Sequence, residues 1–313
     1  LFAKAKAEGK TSTNPLKESF GNRYNFKFVL LALLGATMGQ GVVWYTGQFY
    51  ALSFLQKVMA IDLQQSNELM TYALVLGTPF FVFFGWLSDK IGRKGIMLAG
   101  MLIAILSYRT IYEKMYQTTN FKNKTEITDK TSIEVSRKLE VKDGVATKDS
   151  LITTTTKKEF TDGTKYEEKK IEKILAVAAA DAPKPEIKKT VTINDSDKWT
   201  LIWLVFIQVI FVTMVYGPIA AFLVEMFPTR IRYTSMSLPY HVGNGVFGGL
   251  LPTIATALVA SAGKANETAT AAGQAAPYAA PYLEGLWYPI VIAGICFVIG
   301  LLYINGKDRN VND

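Results

Sequence analysis

The chain has 313 residues, half of them hydrophobic, with 24 glycines, one cysteine, one histidine and a formal charge of +8 at pH 7. A single cysteine excludes an internal disulfide framework, and one cysteine with one histidine cannot assemble a His/Cys zinc cluster or a pair of axial haem histidines. The charge is uneven: residues 113–198 hold 18 Lys/Arg and 16 Asp/Glu, which leaves 16 basic and 10 acidic residues for all the rest.

Residues 1–27 begin with Leu1 and lack the charged, apolar and small-residue order of a signal peptide, so the segment reads as the interior of a longer chain. Gly9-Lys10-Thr11 ends like a phosphate loop, but Lys4 stands where the first glycine is required. Six apolar runs follow, at 28–55, 69–87, 95–112, 199–224, 234–260 and 286–304. A helix needs roughly 20 apolar residues to cross hydrocarbon about 30 Å thick. The fold class read from this pattern is an all-α membrane protein with six transmembrane helices and one external insertion.

In the first run, a period of 3.6 puts Gln40, Trp44 and Gln48 on one face with Tyr45 and Gly41 beside it. Amides and aromatic rings make poor company for lipid, so this face either lines a central cavity or bonds neighbouring helices. Gly35 and Gly39 are spaced for close helix contact, as are Gly245 and Gly249 in the fifth run. Pro79 and Pro218 should bend the second and fourth helices.

Between the second and third runs stands Gly85-Trp86-Leu87-Ser88-Asp89-Lys90-Ile91-Gly92-Arg93-Lys94-Gly95, four charges in a sharp break. A turn returning to water accounts for its polarity. The third run is the shortest, and Arg109 near its end must snorkel toward an interface.

Residues 113–198 form the insertion. Ile133, Val135, Leu139 and Val141 alternate toward Asp143-Gly144, and Asp162-Gly163 follows four threonines at 153–156. Such Asp-Gly pairs fit type I′ hairpins, so the segment is either a small β domain or a flexible charged loop. Residues 261–285, rich in Ala, Gly and Pro, read as a low-complexity external connection.

Glu225 lies at the end of the fourth run, where an unpaired carboxylate is expensive, so it should pair with Arg230 or Arg232 as a structural contact rather than a substrate ligand. In the fifth run Tyr240, His241 and Asn244 are polar inside a span. A buried His241 either carries a proton or sits neutral, bonded to a backbone carbonyl.

Alternating six spans places residues 1–27, the turn at Lys90, the turn at Arg230 and residues 307–313 on one side, with most of the short-loop basic residues. By the positive-inside rule that side is cytoplasmic, so both ends of this segment face the cell interior. The domain order is then 1–27 cytoplasmic, 28–112 with three helices, 113–198 external, 199–306 with three helices and 307–313 a cytoplasmic tail. The basic residues track topology rather than one surface stripe, which gives no support to nucleic-acid binding. No G-x-S-x-G elbow is present, and no enzyme, metal or cofactor is expected.

Gly85, Asp89, Gly92, Arg93 and Lys94 match G-x-x-x-D-[RK]-x-G-R-[RK], and the chain in this respect resembles the major facilitator superfamily. Residues 225–235 resemble the loop after the tenth span of its metabolite:proton symporters and sugar porters, and 237–252 look more like the symporters. The resemblance implies the C-terminal half of a twelve-helix carrier in the bacterial inner membrane, working on a small-molecule substrate with protons. It further implies a missing six-helix N-terminal half, against which Asp89 and Arg93 form a gating charge relay. A membrane-anchored binding or sensory protein working through its insertion is the alternative.

Overall fold

The computed structural model describes residues 12–142, 145–174 and 185–304. Among them, six helices are long and apolar enough to cross a membrane: α1 Arg23–Val58, α2 Leu63–Ile91, α3 Arg93–Thr118, α4 Asp195–Met226, α5 Arg232–Ala271 and α6 Pro281–Tyr303. Four strands, β1 Ser132–Lys142, β2 Val145–Glu159, β3 Lys165–Ile174 and β4 Glu186–Thr192, form one sheet. The described residues fall into two compact units, one of 12–53, Met70–Lys114 and 202–304, the other of Phe54–Leu69 and Met115–Leu201. Residues 1–11, with Gly9-Lys10-Thr11, the Asp143-Gly144 pair and the tail at 307–313 lie outside the described residues.

The six predicted apolar runs lie in helices, save that Ile304 follows the end of α6, and the other five helices outlast their runs at both ends. α3 continues through Glu113 and Lys114 to Thr118, and α4 starts at Asp195, where Asp195 and Asp197 suit the positive N-terminal end of the helix dipole. Hydrogen bonding and propensity carry a helix past the point where apolar residues stop. The same physics corrects the expected connection at 261–285: α5 runs to Ala271, because alanine is the strongest helix former. It stops where Gly273 adopts φ +72 and Gln274 N donates to Ala269 O at 2.8 Å, leaving only 272–280 as the link to α6.

In the helical unit α1 is central. Sixty-seven per cent of its apolar window is buried, against 22% for α2 and α5. Val29, Ala32 and Ala36 pack with Met97 of α3, Ile219 and Leu223 of α4, and Ile304. Outward, Val75, Val82 and Trp86 of α2, Leu106 of α3, and Val298 and Leu301 of α6 are exposed, a coat of apolar side chains that suits hydrocarbon rather than water.

Glycines set the closest approaches. A Cβ on Gly39 would stand 2.7 Å from Cys296 Sγ, and one on Gly35 would stand 3.3 Å from Gly300 N, so this pair faces α6 as its spacing predicts. The Gly245–Gly249 stripe is a correction: a Cβ on Gly245 would meet nothing within 4 Å. Instead Gly243 packs on Thr37 and Gly41, and Gly248 makes room for the Tyr45 ring. Residues Gly243–Gly248 form a widened π turn, which rotates the glycines away from the face a regular 3.6-residue turn would give them. α2 and α4 continue through Pro79 and Pro218.

The second unit contains the sheet, antiparallel throughout in the order β1-β2-β3-β4. Lys142 pairs with Val145, and Glu159 with Lys165. The insertion is therefore a β structure, as its alternation predicts. The Asp162-Gly163 turn is not type I′, however, which needs two residues of positive φ. Only Gly163 is left-handed, at φ +86, and Gly163 N donates to Phe160 O at 3.0 Å, a type I turn closed by a bulge glycine. Phe121 stacks on Phe160 at 5.1 Å and meets Tyr166 edge-on at 5.0 Å, giving the sheet an aromatic base.

A buried ammonium sits beside that base. Lys124, 8% exposed, donates to Asp162, to Asp197 at 2.5 Å and to Thr164 Oγ1 at 2.9 Å. Burial alone would push the Lys124 ammonium down, but the hydrogen bonds and charges of the two aspartates hold it above the usual lysine range. For Asp162 burial pushes up, and Lys124 with the Thr164 N–H outweighs it, so the carboxyl sits below its usual range. Asn194 caps α4 by accepting from Asp197 N at 2.8 Å while its amide donates to Asp162 and Asp197, both at 3.0 Å.

Candidate functional site

The break between α2 and α3 is one residue long. Gly92 N donates to Ser88 O at 3.0 Å, closing α2, and Gly92 itself takes φ +102, a conformation that strains any residue bearing a Cβ. That reversal lets α3 begin at Arg93 and brings Arg93 Nη2 to Asp89 Oδ1 at 2.6 Å. Arg93 Nη1 bonds Glu225 Oε1 near the end of α4, so one guanidinium, 17% exposed, joins two carboxylates. Asp89 is 59% exposed and keeps capacity for a further partner. Lys94 Nζ donates to Leu301 O at 3.1 Å and to Ile304 O, neutralising the carbonyl end of α6. Gly85 lies where α2 meets α4, since a Cβ on Gly217 would stand 3.3 Å from Gly85 N. All five motif residues thus serve one corner of the bundle.

The expected partners of Glu225 are corrected by this geometry. Arg230 Nε lies 3.4 Å from Glu18 Oε2, and Arg232 Nε donates to Phe227 O at 3.1 Å. The turn after α4 points both arginines away, and the arginine that arrives is 132 positions distant in sequence.

Deeper in the bundle, the residues singled out on the first and fifth runs meet. Gln40 and Asn244 exchange two amide hydrogen bonds of 3.1 Å, with Gln40 fully buried. Trp44 packs on Tyr216 at 4.3 Å and Phe81 at 6.3 Å, and the Tyr216 and Tyr240 hydroxyls lie 2.7 Å apart. Four helices therefore contribute to one aromatic and amide cluster. Phe81 and Tyr216 were not among the expected members, although a tyrosine hydroxyl inside an aliphatic run was a legible sign. Tyr45 instead stacks on Phe49 at 4.8 Å, and Gln48 is half-buried.

His241 is exposed rather than buried. Its Nδ1 lies 2.7 Å from Ser237 O, one turn back, so Nδ1–H donates to that carbonyl. Arg109 lies 3.6 Å from Glu284 and 5.0 Å over the Trp287 ring. An open groove of about 360 Å³, lined by Arg23, Lys27, Leu31 and Ile299 among others, lies between α1 and α6, apart from the aromatic cluster.

Six apolar helices with charge gathered at a short turn define a multi-pass helical membrane protein. A Haemophilus influenzae protein named for metabolite transport is 44% identical over 55 residues, 18% of this chain and 12% of that protein. A Staphylococcus haemolyticus protein named for proline/betaine transport is 31% identical over 96 residues, 29% of this chain and 20% of that protein. This chain thus spans a fifth or less of the curated relatives it matches. No protein-family model matches, and no solved structure matches significantly.

Proposed function

We propose that this chain is the C-terminal six-helix half of a secondary carrier of the major facilitator type, moving a small organic metabolite by proton-coupled symport. The observation that carries the reading is the Asp89–Arg93–Glu225 network, a charged corner that ties the α2–α3 turn to α4 and leaves Asp89 open to a further partner. Similarity to proteins named for metabolite and proline/betaine transport supports the same reading. The turn then faces the cytoplasm of a bacterial inner membrane, both ends of the segment are cytoplasmic, and a preceding six-helix half completes the cavity. Trp44, Tyr216, Tyr240 and Asn244, with the buried Gln40 holding Asn244 from behind, line this half's side of that cavity, where alternating access exposes them to each side in turn.

The test is uptake of labelled organic acids and betaines into proteoliposomes holding the full-length carrier. Asp89→Asn is expected to lower flux at least ten-fold while protein level and folding hold, and a proton ionophore to abolish accumulation. Unimpaired flux in Asp89→Asn removes the corner from the mechanism, and ionophore-insensitive accumulation removes the proton. A second reading, a membrane-anchored binding protein, is favoured by one observation: the sheet belongs to a second compact unit, with an aromatic base and a buried charge network.

A further inference from the structure

The sheet has two edges, and they differ. On β4, Val191 N donates to Ala60 O at 2.7 Å and Asp62 N donates to Val191 O at 2.9 Å, so that edge is occupied at its base. β1 pairs with β2 alone among the described residues. It runs for 11 residues without proline, and Ile133, Val135 and Leu139 are 66%, 67% and 57% exposed on one face. Proteins ordinarily blunt such an edge by brevity, proline or a cover, because its unpaired N–H and C=O groups template another strand. β1 is bulged only beyond Leu139, and over 132–139 it has neither proline nor a covering strand among the described residues.

We propose that β1 pairs antiparallel with β1 of a second copy of this chain, about a two-fold axis through Ser136, joining the two sheets edge to edge. In that register Glu134 stands opposite the partner's Lys138 and Ile133 opposite the partner's Leu139, each twice by symmetry, while the Arg137 stem covers Val135. Centring on Glu134 would oppose two glutamates, and centring on Lys138 two lysines. Centring on Arg137 opposes two arginines, centring on Leu139 runs the pairing through the bulge between Leu139 and Val141, and centring on Val135 makes no opposite-charge pair. Registers centred between residues set the apolar face of one sheet beside the polar face of the other. Charge and face together leave the Ser136 register. Glu134 is free to adopt it, since its present neighbour Lys157 lies at 3.6 Å with both side chains largely exposed.

The register predicts which cysteines cross-link. Opposed residues of an antiparallel pair have Cα atoms about 4.5–5.5 Å apart, inside the range a disulfide accepts. Two copies of residue 134 would instead stand about 14 Å apart, beyond it. The full chain in detergent micelles is treated with a mild oxidant, wild type serving as background because its sole cysteine, Cys296, is buried. Ser136→Cys is expected to form disulfide dimers at least ten times faster than wild type. Glu134→Cys and Lys138→Cys should each stay at background alone and cross-link when mixed. A variant without cysteine chemistry gives the second arm: Glu134→Lys should weaken self-association at least five-fold in sedimentation, and adding Lys138→Glu should restore it. Background cross-linking of Ser136→Cys, self-linking of Glu134→Cys at the same rate, or undiminished association of Glu134→Lys overturns the proposal.

Discussion

Lys124 shows how one residue can hold a small sheet. Its ammonium sits between Asp162 and Asp197 and binds both. Removing it leaves two carboxylates facing each other in a partly buried site, so Lys124→Met should cost the sheet unit about 3 kcal/mol at neutral pH. The pH dependence follows from the shifts. Asp162 is lowered, so its contribution is present above the ordinary carboxylate range near about pH 4 and fades as the pH falls through the lowered value. Lys124 is raised, so its contribution holds through neutrality and is lost only as the pH rises through a value above the usual lysine range. Hydrogen exchange at Phe160 and Thr164 should therefore show the gap between wild type and Lys124→Met narrowing as the pH drops below about 4. A gap that stays constant with pH would refute the electrostatic account. The Asp162-Gly163 pair announced the turn in the sequence, but nothing there announced the lysine: Lys124 lies 38 positions from Asp162 and 73 from Asp197.

At the scale of the helices, close packing is discriminating. A Cβ on Gly41 would collide with Gly243 O of α5, whereas one on Gly245, two residues along the same turn, meets nothing within 4 Å. Gly41→Ala should lower the thermal midpoint of the bundle by the equivalent of about 1–3 kcal/mol, the usual cost of overpacking. Gly245→Ala should be neutral or slightly stabilising, since alanine is the better helix former. Scanning fluorimetry in detergent decides, and equal effects at the two sites would contradict the packing. This contrast also marks what the sequence made legible. Six spans follow from length and polarity alone, and the sheet from alternation and turn residues. Which glycine touches which helix does not follow, because a single π turn in α5 shifts every later position around the axis. The length of α5 was hidden for another reason: Ala and Gly read as low complexity, yet alanine prolongs a helix.

For the whole molecule the division into a helical unit and a sheet unit separates two readings of its task. Removing 120–194 and joining the ends of α3 and α4 through a short linker takes away the strands and their charge network. If the chain is a carrier half, the full-length protein with this excision should keep at least a third of its uptake. If the sheet is the working part, ligand capture should vanish while insertion into the membrane persists. Long-range partners explain why the candidate site was only partly readable. Gln40 and Asn244 each stood out as polar residues in apolar runs, but their pairing spans 204 positions, and Arg93 reaches Glu225 across 132. Local spacing offered Arg230 and Arg232 as nearer partners, and the direction of the chain after α4 excluded both.

The link between the α1–α2 turn and β4 carries a consequence for biosynthesis. Gln65 and Ile193 exchange two hydrogen bonds, of 3.0 and 2.9 Å, across 128 positions, beside the bridge from Ala60 and Asp62 to Val191. The early turn must therefore wait, with its donors and acceptors satisfied by water, until ribosomes have delivered the whole insertion. Contacts that close so long a loop bear their entropic cost before any reward. Completion of this junction should be a late event in maturation, and a chain halted before residue 191 would expose an unfinished seam to quality-control proteases.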